Sequence, residues 1–94
     1  MTEEERRRLK AIALSYESGE DAPKVVASGK GYVAETILQK AEEAKVPIHQ
    51  DAKVAEALSD VEIGAYIPQE LYEVVAEILV FVGDMDAIRE KIKR

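Results

Sequence analysis

The pattern of apolar and polar positions near the start of the chain fits two kinds of regular element, a strand and a helix. Residues 10–16 form a short apolar run that ends in the turn-rich stretch 17–23, which is typical of a buried strand. Apolar positions in this run also recur at helical spacing, behind a candidate Thr2 cap and a series of Glu and Arg residues. The local pattern therefore leaves both a strand and a helix open.

A second strand, a helix and a third strand are predicted next. The β-branched residues within 24–28, between a proline and a glycine, favour a strand. Over residues 30–45, apolar positions recur every three or four residues between charged ones, which predicts an amphipathic helix. Pro47 would end that helix, and the valine and isoleucine on either side of it predict an extended segment over 46–48.

Three further helices are predicted in the second half of the chain. Asp51 can accept hydrogen bonds from the first amides of a short helix that ends near Leu58. Pro68 suits the first turn of a longer helix, and the apolar stripe of this helix over residues 71–82 is expected to be the main cover of the sheet. The polar residues 84–94 predict a short terminal helix.

The order of these elements defines an α/β fold class. We expect a small three-stranded sheet, for which mixed strand directions are one option, with about four helices packed around it. Three regions follow from the pattern: a charged N-terminal extension over 1–9, a core domain over 10–83 and a polar helical extension over 84–94.

Composition narrows the class of protein. A chain of 94 residues with 47% apolar residues can bury one core. The longest apolar run, 78–82, is far shorter than the roughly 20 residues that a membrane-spanning helix needs. The first residues lack the apolar stretch of a secretory signal, so we expect a cytoplasmic location. A net charge of -6 argues against binding nucleic acid.

Few residues could carry catalytic or metal chemistry. The chain has no Cys and one His, which excludes thiolate catalysis and cysteine-ligated zinc. Ser-Gly-Lys-Gly at 28–31 lacks the spacing of a phosphate-binding loop and predicts a strand-to-helix turn, although a weak anion site there stays open. His49 with Asp51 gives too few ligands for a transition metal. We expect no enzymatic activity and no cofactor.

Three longer stretches resemble a known family. They are Ala-Ile-Ala-Leu-Ser-Tyr at 11–16, Ala-Pro-Lys-Val-Val-Ala-Ser-Gly at 22–29 and Val-Glu-Ile-Gly-Ala-Tyr-Ile-Pro-Gln-Glu-Leu-Tyr at 61–72. Together they resemble the cytoplasmic domain of the FlhB/YscU family of type III export-switch proteins, and the likeness extends over about residues 10–82. The resemblance implies a strand, rather than a helix, at 10–16.

The chain departs from the family pattern at one motif. Family members carry Asn-Pro-Thr-His directly before the Ala-Ile-Ala-Leu strand, and the Asn side chain attacks its own carbonyl so that the chain cleaves itself. The corresponding positions here run from Arg6 to Leu9, and the whole sequence contains no Asn. We therefore expect no self-cleavage, and a chain that resembles a free-standing copy of the downstream cleavage fragment.

The resemblance also implies a role and a site. This fragment of the family helps to receive export substrates at the export gate, so the expected partners are export-gate proteins and export substrates, at the inner face of the membrane. The positions carried over as a shallow apolar binding surface are Ala22, Pro23, Ala76 and Leu79. Because the last two lie on or beside a predicted core stripe, a purely structural role for them stays open.

The resemblance also suggests a mode of binding. The family's upstream strand is absent from the first residues, so a sheet edge is expected to accept a partner's segment.

Two other roles remain open. The alternative to an export role is a cytosolic regulatory or self-associating module that kept the fold. A small enzyme built on the glycine-rich turn is the least favoured option.

Overall fold

A computed structural model describes residues 2–17 and 19–82 of the chain. The predicted terminal helix over 84–94 lies outside the described residues. The elements follow in the order α1 Glu3–Arg8, β1 Lys10–Ser15, β2 Lys24–Lys30, α2 Tyr32–Glu43, α3 Ala52–Leu58, a 3-10 turn Gln69–Leu71 and α4 Tyr72–Val82.

The run 10–16 is a strand, so its helix alternative is wrong, and a separate short helix covers the charged residues before it. Thr2 caps α1, because its hydroxyl oxygen accepts a hydrogen bond from the Glu5 amide at 3.1 Å. The helix ends at Arg8, since Leu9 has extended backbone angles of φ -63 and ψ 132. The strand β1 starts at the next residue, so the strand implied by the family resemblance is confirmed.

β1 and β2 form a two-stranded antiparallel sheet. Lys10 lies opposite Lys30, and the register continues to Ala13 opposite Ala27. The register shifts between Ala13 and Leu14, which is the signature of a bulge. The predicted second strand is confirmed and extends two residues further than the pattern indicated.

The predicted third strand at 46–48 is wrong, and the end of α2 explains why. Lys45 adopts a left-handed conformation with φ 60, and the Val46 amide donates to the Ala41 carbonyl at 2.8 Å. This is the bonding of a helix C-terminal cap, and it uses the amide that a strand would need. Pro47 has no amide hydrogen to donate. The segment therefore has little capacity to join a sheet.

A different segment lies along the outer edge of β2. The Val25 amide donates to the Ala65 carbonyl at 2.9 Å, and the Gly64 amide donates to the Val25 carbonyl at 2.7 Å. The Ile67 amide donates to the Pro23 carbonyl at 3.0 Å. Gly64, with φ 94, supplies the left-handed turn that brings this segment to the strand. The segment contributes a single bridge to the sheet rather than a strand.

The turn between β2 and α2 depends on close packing. Gly31 precedes the helix with φ 64, a conformation that favours glycine. A β carbon on Gly29 would overlap the Cγ1 atom of Val33. The glycine-rich strand-to-helix turn is therefore confirmed, and α2 approaches both strands closely. The expectation that the helix over 71–82 is the main cover of the sheet is wrong, because α2 makes the more extensive contacts with β1 and β2.

The core lies between the sheet, α3 and α4. Val25 and Val75 are almost fully buried, and each contributes on the order of 1.5–3 kcal/mol. Asp51 caps α3 as predicted, by accepting from the Val54 amide at 3.2 Å. The buried cluster consists of Ala22, Val25, Leu58, Ile67 and Val75.

Candidate functional site

Three of the four predicted binding positions are buried. Ala22 is 1% exposed and Ala76 is 0% exposed, and Pro23 is among the most completely buried residues. Leu79 is half-buried and packs against the core cluster that contains Ala22. The structure therefore brings Ala22 and Leu79 to one cluster, and Leu79 is the member that still reaches the surface. The prediction that these four positions bind a partner stays a prediction.

The loop before Ala22 is held by a phenol. The Tyr16 hydroxyl donates to the Glu20 carbonyl at 2.8 Å. Burial raises the pKa of Tyr16, and the negative charges of Asp21 and Glu20 raise it further. The phenol therefore stays protonated and can donate this hydrogen bond. Because the bond spans the loop, it fixes the path of the chain into Ala22.

Helix α4 carries the other two predicted binding positions, Ala76 and Leu79. Ala76 and Leu79 are separated by three positions, so they share one face of the helix. The same turn carries Val75, which is 1% exposed and belongs to the core cluster. Ala76 itself is 0% exposed, so Leu79 is the position on this face that reaches the surface.

The outer edge of β1 carries backbone groups that point away from β2. The Gly31 amide donates to the Leu9 carbonyl at 2.9 Å, so this pair is of the hydrogen-bonded type. Pairs alternate along an antiparallel ladder, which directs the amides of Lys10 and Ile12 outward. Within the described ranges, no segment outside the hairpin makes a backbone hydrogen bond to these two residues. This edge can accept an added strand.

A cluster of polar side chains fixes α1 to the start of α2. Arg6 donates to Glu3 at 2.9 Å and to the Tyr32 hydroxyl at 3.4 Å, and it forms an ion pair with Glu35. Its guanidinium carbon also lies 5.0 Å from the centre of the Tyr32 ring. The hydrogen bonds to Tyr32 and Glu35 raise the pKa of Arg6. We call these four residues the Arg6 cluster.

The sequence pattern of residues 1–9 predicts only a charged extension and gives no sign of the Arg6 cluster. Arg6 lies just before the residues that the family model matches, and it belongs to helix α1. The Thr2 cap and the acid-to-base order along α1 were local signals of a helix. The partner of Arg6 on α2 is far away in sequence, so no local pattern could reveal it.

No group of three or more His, Cys, Asp or Glu side chains in residues 2–17 and 19–82 could hold a metal ion. Over the same ranges, no helix combines the length and the apolar character that crossing a bilayer requires.

The fold is a small α/β domain, in which helix α2 covers a two-stranded sheet and a segment that bridges to β2 leads into α4. This is the class of domain found in type III export proteins. The chain belongs to the FlhB HrpN YscU SpaS family, whose model matches residues 10–82. The resemblance in the sequence is thereby confirmed.

Curated relatives agree with this assignment. The chain is 44% identical over 78 residues to the uncharacterized protein YlqH of Bacillus subtilis, in an alignment that covers 82% of this chain and 84% of YlqH. It is 43% identical over 74 residues to the flagellar biosynthetic protein FlhB of Aquifex aeolicus, covering 77% of this chain and 21% of that protein. The chain therefore spans about a fifth of the length of this FlhB.

Solved structures show the same fold. A variant of the EscU C-terminal domain superimposes with a TM-score of 0.77 at 32% identity, covering 84% of this chain and 98% of that domain. The PscU C-terminal domain gives a TM-score of 0.75 at 30% identity, covering 80% of this chain and 98% of that domain. The likeness therefore covers nearly the whole of both domains.

Proposed function

We propose that this chain is a non-catalytic docking module of a type III export apparatus, of the flagellar kind, that binds export-gate components or export substrates. The observation that carries the proposal is the match to nearly the whole EscU C-terminal domain at 32% identity. The identity of 43% to an FlhB supports the flagellar branch. The proposed location is the cytoplasm, at the inner face of the export gate.

The proposal includes an uncut chain. Self-cleavage of the kind that the resemblance implies needs an Asn side chain as the nucleophile, and the sequence contains none. The stretch that aligns with the cleavage motif ends helix α1, where the Leu9 amide donates to the Arg6 carbonyl at 3.2 Å. A single band of full mass after prolonged incubation of the purified protein is expected, and two fragments would contradict this part of the proposal.

Two surfaces could carry the docking. The first is the predicted apolar surface, where Leu79 is the residue with remaining exposure. The second is the outer edge of β1, where the outward amides of Lys10 and Ile12 can bond to an extended segment. The two modes leave different marks. Strand addition protects the two amides from hydrogen exchange, whereas docking on the apolar surface shifts the methyl resonances of Leu79.

The decisive experiment is a pull-down with the immobilised protein against export-gate components and export substrates, scored by mass spectrometry. Enrichment of at least one of them is expected. Leu79→Glu is expected to reduce enrichment if the apolar surface binds, whereas Ile63→Glu, at an exposed position outside α4, is the control. Circular dichroism establishes that both variants are folded. Failure to enrich any gate component or substrate would refute the proposal.

A second candidate function is a regulatory or self-associating module that has kept the fold. The observation in its favour is the missing cleavage motif, since the stretch ending at Leu9 carries no Asn. Analytical ultracentrifugation distinguishes the two. A stable dimer at micromolar concentration, together with an empty pull-down, would favour this second function.

A further inference from the structure

Glu20 lies at the centre of the contacts in the loop between β1 and β2. The Glu20 carbonyl accepts a hydrogen bond from the Tyr16 hydroxyl at 2.8 Å, and the Glu20 amide donates to the Glu17 carbonyl at 3.1 Å. One carboxylate oxygen of Glu20 accepts from the Glu17 amide at 3.0 Å. The other lies 3.8 Å from the Lys24 ammonium nitrogen. Both backbone polar groups and both carboxylate oxygens of Glu20 therefore contact the rest of the loop or the start of β2.

Lys24 continues this network to the segment that leads into α4. Its ammonium nitrogen lies 5.1 Å from the centre of the Tyr66 ring, which places the charge over the aromatic face. Lys24 and Tyr66 also form the backbone bridge between β2 and this segment. At the neighbouring residues, the Ile67 amide donates to the Pro23 carbonyl at 3.0 Å. One row of contacts therefore runs from Glu20, through Lys24, to residues shortly before α4.

Two of the predicted binding positions lie in the stretch between these two charged residues. They are Ala22 and Pro23. Residues 20–23 belong to no helix or strand, so no ladder of backbone bonds fixes their path. The contacts of Glu20 and Lys24, one on each side, therefore help to hold this stretch next to the core cluster. Leu79 packs against the same cluster.

The contacts of Glu20 act locally. The side chains of Glu20 and Lys24 are 19% and 37% exposed, and ion pairs that solvent reaches in this way contribute little to the free energy of unfolding. The buried cluster around Val25 carries that stability instead. A loop without regular bonding has few contacts, so the loss of one affects the loop before it affects the whole fold. Loss of the Glu20 carboxylate is therefore expected to shift the stretch 21–23 without unfolding the protein.

We propose that Glu20 is a positioning residue: by holding Lys24, its carboxylate keeps the stretch 21–23 in the arrangement that a partner recognises. This role rests on the proposed docking function, with the apolar surface around Leu79 as the site. Glu17 has the same charge in the same loop, but only its backbone takes part in these contacts. Charge alone therefore does not explain the role assigned to Glu20.

The first test needs no partner and uses hydrogen exchange of the full-length protein, measured by NMR. Glu20→Ala removes both carboxylate contacts and is expected to speed exchange of the Glu17 and Ile67 amides about two- to fivefold. Glu20→Gln keeps an oxygen that can accept from the Glu17 amide, so its effect is expected mainly at Ile67. Exchange in α2 reports global stability and should not change. Unaltered exchange at Ile67 in both variants would overturn the proposal.

The second test repeats the pull-down against export-gate components and export substrates with variants of this loop. Glu20→Ala is expected to lower the recovery of the enriched proteins about two- to fivefold. Glu17→Ala removes an equal charge from the same loop and is the matched control, with recovery expected to stay unchanged. Circular dichroism establishes that both variants are folded. Full recovery with Glu20→Ala would overturn the proposal.

Variants of Lys24 test whether Glu20 acts through this residue. Lys24→Arg keeps a cation that can reach both the Glu20 carboxylate and the Tyr66 ring, so recovery is expected to be retained. Lys24→Met removes the charge and is expected to lower recovery as Glu20→Ala does. In the double variant, the loss is expected to be smaller than the product of the two single losses. Losses that multiply would show independent action and would refute the positioning role.

The two tests separate this role from the proposed function. An empty pull-down with the unsubstituted protein would refute the docking function, and exchange of the Ile67 amide would still decide whether Glu20 positions the stretch 21–23. Enrichment that Glu20→Ala leaves unchanged would refute the positioning role and leave the docking function intact.

Discussion

Gly29 of β2 lies so close to Val33 of α2 that a β carbon on the glycine would overlap the Val33 Cγ1 atom. This approach lets α2 pack on the hairpin. Gly29→Ala is therefore expected to lower the free energy of unfolding by about 1–3 kcal/mol. Urea denaturation monitored by circular dichroism measures the change.

A second substitution separates this overlap from a loss of backbone freedom. Val33 is 56% exposed, so Val33→Ala alone should cost little. In the Gly29→Ala background it is expected to restore part of the stability, because it removes the Cγ1 atom but leaves the Val33 β carbon at 2.8 Å. If the two substitutions are additive, steric overlap is not the cause.

Lys45 closes α2 in a left-handed conformation that favours glycine, with φ 60. Lys45→Gly is expected to stabilise the protein by about 0.5–1 kcal/mol, because the conformational strain on a residue with a side chain is relieved. Lys45→Ala removes the charge but keeps the β carbon, and should not stabilise. Thermal unfolding of both variants measures the difference; equal effects would mean that the charge, not the backbone, is responsible.

The ion pair between Arg6 and Glu35 joins α1 to α2, and its loss is expected to loosen α1. Glu35→Gln should speed hydrogen exchange of the Leu9 amide by about two- to fivefold, the range for a partly exposed pair. Glu4→Gln is the matched control, because Glu4 pairs with Arg8 at 2.7 Å, within α1 rather than between α1 and α2. Equal acceleration in both variants would show that α1 does not depend on this contact.

The raised pKa of Tyr16 predicts a pH dependence of stability. Because the pKa in the folded protein lies above the unfolded value of about 10, this phenol contributes no pH dependence well below that pH. Above it, the free energy of unfolding is expected to fall as pH rises toward the folded pKa. Tyr16→Phe should flatten this fall, because it removes the titrating hydroxyl. Denaturation midpoints between pH 8 and about 11.5 test this.

Elements with a complete local signal could be predicted from the sequence. The amphipathic period of α2 and the Asp51 cap of α3 each depend on residues within a few positions of one another. The start of α4 was nearly right. Pro68 precedes a 3-10 turn, and the regular helix begins at Tyr72. The local preferences of these residues agree with their tertiary contacts, so the predicted elements form in the folded protein.

The sheet could not be predicted in full, because hydrogen-bond partners are chosen in three dimensions. Val46 has strand propensity, yet its amide is used by the end of α2. The bridge at Tyr66 lies in a segment with no strand pattern, held instead by backbone bonds from Val25 and Gly64. Burial of Ala22 and Ala76 follows from the same tertiary packing, and family likeness alone did not reveal it.

The three backbone bonds that tie Pro23 and Val25 to the segment ending at Ile67 have a mechanical consequence. They couple the first residues of β2, next to Ala22, to the segment that leads into α4, the helix that carries Leu79. If a partner binds at Leu79 as proposed, the residues around it are already tied together, so little binding free energy is lost in ordering them. Binding at this region would then involve little change in backbone conformation, in contrast to an induced fit.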